Sequence, residues 1–348
     1  MSSAPTETLP FSWYSEPATF RSEQERIFRR SWQYVGHAGE LPRPGSFRAT
    51  FAGDLPVVLV RDEAGALRAF VNVCRHRGST ICDGSGERST LQCPYHAWTY
   101  GLDGQLLRAP RLTPVAGENL GLVPLRLETW GPLLFANPDP DAPPLSDTLG
   151  DVPERLAGAG IELESLRFLR RSESEVAANW KIVAENYLEC YHCPVAHPGF
   201  SAVMDVSPEA YLLEAQATRL SQYCAPRPGS SSLYDATGTV QRAQFHLLFP
   251  GTIVNVYPGR QNLSIGPLLP RSPERTARFL DYFVGPDADD AWIADMLAFD
   301  DQVGVEDKAL VERVQAGVRA GLPERGRLLP ESEGLIAHFQ ALITRALG

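Results

Sequence analysis

Two short segments constrain this chain more than any other feature: Cys74-Arg75-His76 and Cys93-Pro94-Tyr95-His96, with residues 77–92 between them. Each offers one thiolate and one imidazole. Two Cys and two His can close a tetrahedral shell around one zinc ion. They can also hold a [2Fe–2S] cluster in which two His replace two Cys on one iron. Zinc fingers group Cys with Cys and His with His, whereas here each segment mixes the two. Mixing lets two loops each give a Cys to one iron and a His to the other. The iron–sulfur arrangement is therefore expected, with a structural zinc ribbon as the alternative. Gly78 and Gly84 permit tight turns beside the sulfurs. Pro94 stiffens the second loop, and Tyr95 and Trp98 are candidates to shield the group or donate hydrogen bonds to it. Cys82 reads as a packed thiol.

The surrounding pattern is β-type. Pro56–Val60 and Leu67–Val73 flank the turn Asp62-Glu63-Ala64-Gly65, and Asp103-Gly104 suits a hairpin. Residues 32–138 are expected to form a small antiparallel β domain, closed by the linker Asp139-Pro140-Asp141-Ala142-Pro143-Pro144. Residues 1–31 and 139–348 form the remainder, read as a domain with an antiparallel sheet flanked by helices. Strands are expected at Phe245–Phe249, Ile253–Tyr257 and Ala277–Val284, and helices at 179–192, 300–317 and 333–347. The fold class is α+β.

The sequence has 348 residues, 43% of them hydrophobic, enough for a sizeable core. Its net charge of −10 argues against a nucleic-acid partner, which requires a basic face. No apolar run is long enough to span a bilayer. The first ten residues lack the basic and apolar regions of a signal peptide, so a cytoplasmic protein without a membrane partner is expected. Six Cys in a chain of this length do not suggest a disulfide framework.

A second constellation lies in Asn179 to Pro198. Asn179 is a plausible N-cap, and Trp180, Val183, Ala184, Tyr187, Leu188 and Tyr191 make one apolar helical stripe. Glu185, Glu189 and His192 fall on a neighbouring line of the same helix, with Pro194 expected to end it and swing His197 towards His192. The residues alone admit either two half-buried histidines or two arms of a 2-His-1-carboxylate iron site. For the third arm Asp307 leads, because it interrupts an apolar helix face, and Asp300 is second. Asp300 and Asp301 also read as helix N-caps. Cys190 and Cys193 form a Cys-x-x-Cys pair, which helical spacing favours as inert packing over a redox or zinc pair. His37, His246 and His338 read as structural.

Val73-Cys74-Arg75-His76-Arg77-Gly78 with Cys93-Pro94-Tyr95-His96-Ala97-Trp98-Thr99-Tyr100 resembles the Rieske motif of Rieske non-heme iron oxygenase α subunits. The extra disulfide-forming Cys of respiratory Rieske proteins is absent after each pair. The resemblance extends from Phe20-Phe47 through the His192 segment to Glu306-Asp307. With Asn255-Val256-Tyr257-Pro258-Gly259 and Val311–Gly317 it is most similar to the choline, carnitine and glycine-betaine monooxygenase branch. It implies a Rieske [2Fe–2S] cluster on Cys74, His76, Cys93 and His96, and mononuclear Fe(II) on His192, His197 and Asp307. Glu189 matches the carboxylate that in the family links a cluster His of the neighbouring subunit to an iron-ligating His, which implies a homotrimer. Glu185 departs from the Asn common in other branches, so it carries no assigned role.

The implied activity is that of a terminal oxygenase. It would use O2 and electrons to hydroxylate or oxidatively demethylate a small organic substrate, with a quaternary or N-methyl amine favoured by the branch. An aromatic or natural-product substrate is the alternative, and a non-catalytic electron-transfer or zinc-binding protein the different-class one. No Gly-x-Gly-x-x-Gly after a strand and no plant-type Cys-x4-Cys-x2-Cys run is present, so a separate reductase or ferredoxin is required. Arg75, Arg77, Arg88, Arg108 and Arg111 are candidates for a basic docking patch around the cluster. Tyr187, Tyr191, Phe200, Phe245 and Tyr257 are candidates for an aromatic substrate wall.

Overall fold

The computed structural model describes residues 6–113, 118–229 and 233–348. The chain divides into two compact units, one of Phe28–Leu145 and one combining Met1–Ile27 with Ser146–Gly348. Both are built on antiparallel sheets, and the fold is α+β.

Among the described residues the first unit has ten strands: β1 (Gln33–His37), β2 (Ser46–Ala52), β3 (Leu55–Arg61), β4 (Leu67–Val71), β5 (Ser85–Glu87), β6 (Leu91–Gln92), β7 (Thr99–Tyr100), β8 (Leu106–Arg108), β9 (Pro124–Trp130) and β10 (Leu133–Asn137). Seven of them form a sheet in the order β1-β10-β9-β4-β3-β2-β5, and β6-β7-β8 form a second. Val57, Val58, Leu59 and Val60 are all buried because β3 lies inside the larger sheet and both of its faces are covered. The Asp103-Gly104 turn joins β7 to β8. Gly104 sits at φ +86° against Phe70, where a Cβ would collide with the ring.

The second unit carries β11 (Arg167–Val176), β12 (Leu212–Gln216), β13 (Arg219–Cys224), β14 (Ala243–Leu248), β15 (Thr252–Val256), β16 (Asn262–Ser272) and β17 (Arg275–Val284), in the order β11-β17-β16-β15-β14-β13-β12. Its helices are α1 (Pro17–Arg26), α2 (Leu145–Leu149, which starts one residue earlier), α3 (Val152–Gly158), α4 (Trp180–Tyr187), α5 (Cys193–Ala196), α6 (Pro198–Val203), α7 (Asp290–Val318) and α8 (Gly334–Leu347). Asn179 caps α4, accepting the Lys181 N–H at 2.9 Å.

Two expected helices differ from the observed ones. The segment 179–192 is not one helix, since α4 stops at Tyr187. Beyond it the Glu189 carboxylate takes the backbone N–H groups of Tyr191 and His192, in competition with a continued helical ladder. Pro194 then sits in the first turn of α5, where its missing N–H costs nothing, so it begins a helix rather than ending one. The other helix starts ten residues before the expected 300. Its N-cap is Asp289, which accepts the Trp292 N–H at 2.9 Å, so Asp300 and Asp301 are mid-helix and not caps. Trp292, Ile293, Met296 and Phe299 supply the buried face of the extra turns. Among the described residues, no helix is long and apolar enough to cross a membrane.

Candidate metal centres and active site

The first Cys-His pair lies on the loop after β4 and the second on the loop between β6 and β7. The loops share one hydrogen-bond frame. Each Cys N–H reaches the carbonyl five residues on (Cys74 to Ser79 and Cys93 to Trp98, both 2.8 Å). The residue four on returns to the Cys carbonyl (Gly78 and Ala97, both 3.1 Å). That return requires a left-handed backbone, at φ +76° for Gly78 and +59° for Ala97. The strained alanine is the structural counterpart of the glycine, which sequence alone does not reveal.

The frame turns both sulfurs inward and both imidazoles outward: Cys74 and Cys93 are 3% and 2% exposed, whereas His76 is exposed and His96 partly so. The two His Nδ1 atoms converge to 3.2 Å. Burial raises the Cys93 thiol, but N–H groups of Tyr95 and His96 and contacts from Cys74 and Ser79 outweigh it and hold it below its ordinary value. Tyr100 accepts the Arg75 N–H at 3.0 Å, which directs its own proton to Cys74 Sγ at 3.3 Å. Of the expected donors, Trp98 instead stacks on His76 (5.1 Å between centroids, 7° between planes) and Tyr95 lies on His96. Tyr100 is the sulfur donor that the sequence reading missed. Cys82 is packed and its thiol is pushed up to about 11 by burial.

In the second unit His192, His197 and Asp307 meet. His192 Nε2 lies 3.0 Å from His197 Nε2 and 3.6 Å from Asp307 Oδ1, and His197 Nε2 lies 3.0 Å from Asp307 Oδ1. Each imidazole has its other nitrogen on a carboxylate: His192 Nδ1 on Glu189, and His197 Nδ1 on Glu306 at 2.7 Å. A proton held at Nδ1 leaves the Nε2 lone pair aimed at the centre, which is the donor arrangement a divalent metal requires. Asn186 donates to Asp307 Oδ1 at 2.7 Å, and Gln302 to Glu306 at 2.7 Å. The three groups also compensate one another electrostatically. Burial lowers His192, but Asp307 and Glu189 raise it to about 9. Burial raises Asp307, but the two imidazoles hold it well below the carboxylate range.

Asp300, the second choice for the carboxylate arm, is elsewhere. Two turns before Asp307 on α7, it receives the hydroxyl of Tyr257 at 2.6 Å and that of Tyr282. Glu185 does not share a face with Glu189 and His192, because α4 has ended. It receives Tyr14 Oη at 2.8 Å and Gln340 Nε2 at 2.9 Å instead. Cys190 and Cys193 are buried as expected, yet they are joined by a disulfide rather than packed as free thiols, since the break after α4 brings the pair together. His246 is fully buried on Ser221 (2.6 Å), His338 Nε2 donates to Ala217 O (2.8 Å), and His37 caps a turn ending at Glu40.

A pocket of about 320 Å3 opens beside the His192–His197–Asp307 group. The sheet supplies one wall through alternate residues: Phe245 of β14, Ile253 and Asn255 of β15, and Arg278, Leu280 and Tyr282 of β17. Helix α7 supplies the opposite wall with Asp300, Gly304, Asp307 and Lys308. Of the expected aromatic residues, Tyr187, Phe200, Phe245 and Tyr257 line the pocket, and Tyr191 points outward, 64% exposed.

Residues 31–124 match the family described as "Rieske [2Fe-2S] domain", and residues 163–348 match "Ring hydroxylating alpha subunit (catalytic domain)". The chain is 34% identical over 352 residues to the carnitine monooxygenase oxygenase subunit of Escherichia coli (strain K12), covering 97% of this chain and 93% of that protein. It is 32% identical over 351 residues to the chloroplastic choline monooxygenase of Atriplex hortensis, covering 98% and 78%. The crystal structure of the quaternary ammonium Rieske monooxygenase CntA with substrate L-carnitine superposes with a TM-score of 0.83 at 31% identity, over 98% of this chain and 96% of that one. Identity sustained along nearly the whole chain, with both domain families in sequence, makes this protein a member of the Rieske non-heme iron monooxygenase family, an oxygenase component whose two domains imply a [2Fe–2S] cluster and a mononuclear iron.

Proposed function

We propose that this chain oxygenates an N-methylated, cationic small molecule. Cys74, His76, Cys93 and His96 would hold the cluster, and His192, His197 and Asp307 the mononuclear iron. The observation that carries the substrate class is the half-buried Asp300 carboxylate, held by the hydroxyls of Tyr257 and Tyr282, in a pocket walled by Phe245, Tyr257 and Phe200, two turns along α7 from Asp307. A quaternary ammonium cannot donate a hydrogen bond, so aromatic faces and a nearby negative charge are the means available to recognise it. A neutral aromatic substrate would gain nothing from that charge. The similarity to carnitine and choline monooxygenases agrees.

When bound, the metals supply single electrons and dioxygen activation beside the substrate. The protein's residues do the rest. Glu189 and Glu306 fix the two imidazole rings, Asn186 orients Asp307, and the apolar wall keeps bulk water from the reacting carbon. Electrons must come from a separate reductase or ferredoxin, and exposed Arg75 and Arg77 beside the cluster loops suit an acidic one.

The proposed assembly is a homotrimer in which the cluster edge of one chain lies against the His192 loop of the next. Exposed apolar side chains at both places support it: Tyr95 (57%) beside His96, and Tyr191 (64%) and Val195 (90%) beside His192. A solved relative is described as using inter-subunit electron transfer. A cytoplasmic location is proposed.

The test is oxygen uptake by the iron-loaded enzyme with a reductase over a panel of trimethylammonium compounds and aromatic acids. Coupled uptake and demethylation or hydroxylation with an amine is expected. Coupling only to aromatic acids would refute the substrate class.

A further inference from the structure

Cys190 and Cys193 bracket His192 in the chain and line the same pocket, and they are joined by a disulfide. The oxygenase chemistry derived above uses neither. A bridge that serves stability joins distant segments, because its effect comes mainly from restricting the unfolded chain and grows with the loop it closes. This one joins residues only three apart in sequence, so it is a weak staple. Cys224 packs in the same apolar cluster, but it is a free thiol and is not among the described residues lining the pocket. The two cysteines that reach the pocket are the two that are bonded.

The turn that carries the pair is held closed without its sulfurs. The Cys193 N–H donates to the Cys190 carbonyl at 3.2 Å, and the Ala196 N–H to the His192 carbonyl at 2.9 Å. The Cys193 carbonyl takes the His197 N–H at 2.9 Å and the Ser201 hydroxyl at 3.0 Å. Glu189 holds the backbone N–H groups of Tyr191 and His192 together with His192 Nδ1. None of these bonds involves sulfur, so the bridge can open to two thiols and close again while His192 and His197 keep their places. Cys190 and Cys193 are otherwise buried, and Tyr191 between them takes the outer surface, so a reactant reaches the sulfurs from the pocket.

We propose that Cys190 and Cys193 form a reversible dithiol–disulfide site that reduces hydrogen peroxide arising in the pocket and so spares the two histidines. Peroxide is O2 with two electrons and two protons added, the product when an oxygenase reduces O2 without oxidising substrate. One sulfur attacks a peroxide oxygen, the O–O bond breaks and one water leaves, giving a sulfenic acid. The second sulfur displaces that hydroxyl, the S–S bond forms and a second water leaves. Two thiols thereby lose two electrons and two protons, and peroxide becomes two waters. A small thiol of the glutathione class, entering by the pocket, reopens the bridge by two exchanges and leaves as its own disulfide. The sulfur cycle is independent of which substrate the pocket takes, whereas the sparing of the histidines rests on the iron site proposed above.

The test is thiol counting by peptide mass. The iron-loaded protein is reduced with dithiothreitol, freed of it without oxygen, and given hydrogen peroxide in known amounts before alkylation in denaturant. One peroxide per chain is expected to remove both labels from the peptide that holds Cys190 and Cys193 while Cys82 and Cys224 stay labelled. Glutathione added to the native protein is expected to restore both. In the double variant Cys190→Ser, Cys193→Ser, steady peroxide consumption with glutathione should fall to the rate of glutathione alone. Repeated peroxide should then add oxygen to His192 or His197 several times more often than in the wild type. Labels that survive peroxide, a bridge that glutathione cannot open in the native protein, or consumption unchanged in the double variant each overturns the site. The first two readings need no variant, so a folding defect in the double variant cannot mask the result. Thiols that cycle in a chain that cannot be loaded with iron support the sulfur site and overturn the iron assignment. Equal histidine oxidation in iron-loaded wild type and variant overturns the sparing of the histidines.

Discussion

Asp307 and its two histidines differ from the cluster ligands in how each is held, and single substitutions separate the two centres. Asp307→Ala is expected to abolish substrate-coupled oxygen uptake while the visible spectrum of the cluster persists, because the four residues proposed to hold the cluster all belong to the unit Phe28–Leu145 and Asp307 to the other. Bleaching of the spectrum in that variant would contradict two separate centres. Glu189→Gln keeps the shape beside His192 and removes the charge that fixes its ring. Loss of such a supporting carboxylate costs about 10–100-fold in activity or metal affinity, and a variant with wild-type rate and iron content would count against the role given to Glu189. Tyr100→Phe deletes the hydroxyl 3.3 Å from Cys74 Sγ. A hydrogen bond to a cluster sulfur favours the reduced form, so the midpoint potential is expected to fall in a redox titration.

At the scale of elements, α4 is anchored by charges rather than by its apolar stripe alone. Lys181 and Glu23 are both fully buried and paired across α4 and α1, and Trp180 Nε1 adds a 2.8 Å bond to the same carboxylate. Removing one member leaves an uncompensated buried charge. Glu23→Ala should therefore destabilise the fold by about 3–5 kcal/mol in urea unfolding. Glu185, on the same helix, is pushed up to about 7 by burial, against the lowering influence of Gln340, Tyr14 and Lys181, with Glu333 raising it further. Between its ordinary 4.5 and about 7 the folded chain keeps a proton that the unfolded chain has released. The stability from this group is complete below 4.5 and is lost as pH rises through 7. Unfolding free energies at pH 5 to 8 should fall with this slope, and Glu185→Gln should flatten it.

For the whole molecule, the proposed homotrimer makes a prediction that no single chain can meet. A variant defective at the cluster, such as His96→Ala, and one defective at the iron, such as His192→Ala, are each expected to be inactive. Mixed and reassembled, they should recover part of the activity, because an intact cluster on one chain can serve an intact iron site on the next. Zero recovery in mixed trimers of verified mass would exclude transfer between subunits.

Much of this chemistry was legible in the sequence because its proposed ligands sit in short local motifs: Cys74-x-His76, Cys93-x-x-His96 and the His192/His197 segment need only loop geometry to come together. The spacing of ligand types favoured the cluster over zinc, and the family resemblance named the oxygenase. What sequence could not supply depends on pairings far apart in the chain. Competition between the Glu189 carboxylate and the helix ladder decided where α4 ends, and with it that Glu185 turns away and that Cys190 and Cys193 bond. The long reach of α7 across the sheet decided that Asp307, not Asp300, meets the histidines, and that Asp300 and Arg278 face one cavity. Local spacing along the chain therefore marked most of the residues proposed to hold the metals, whereas tertiary packing, by choosing which side chains share a desolvated space, decided the shape and charge that a substrate meets.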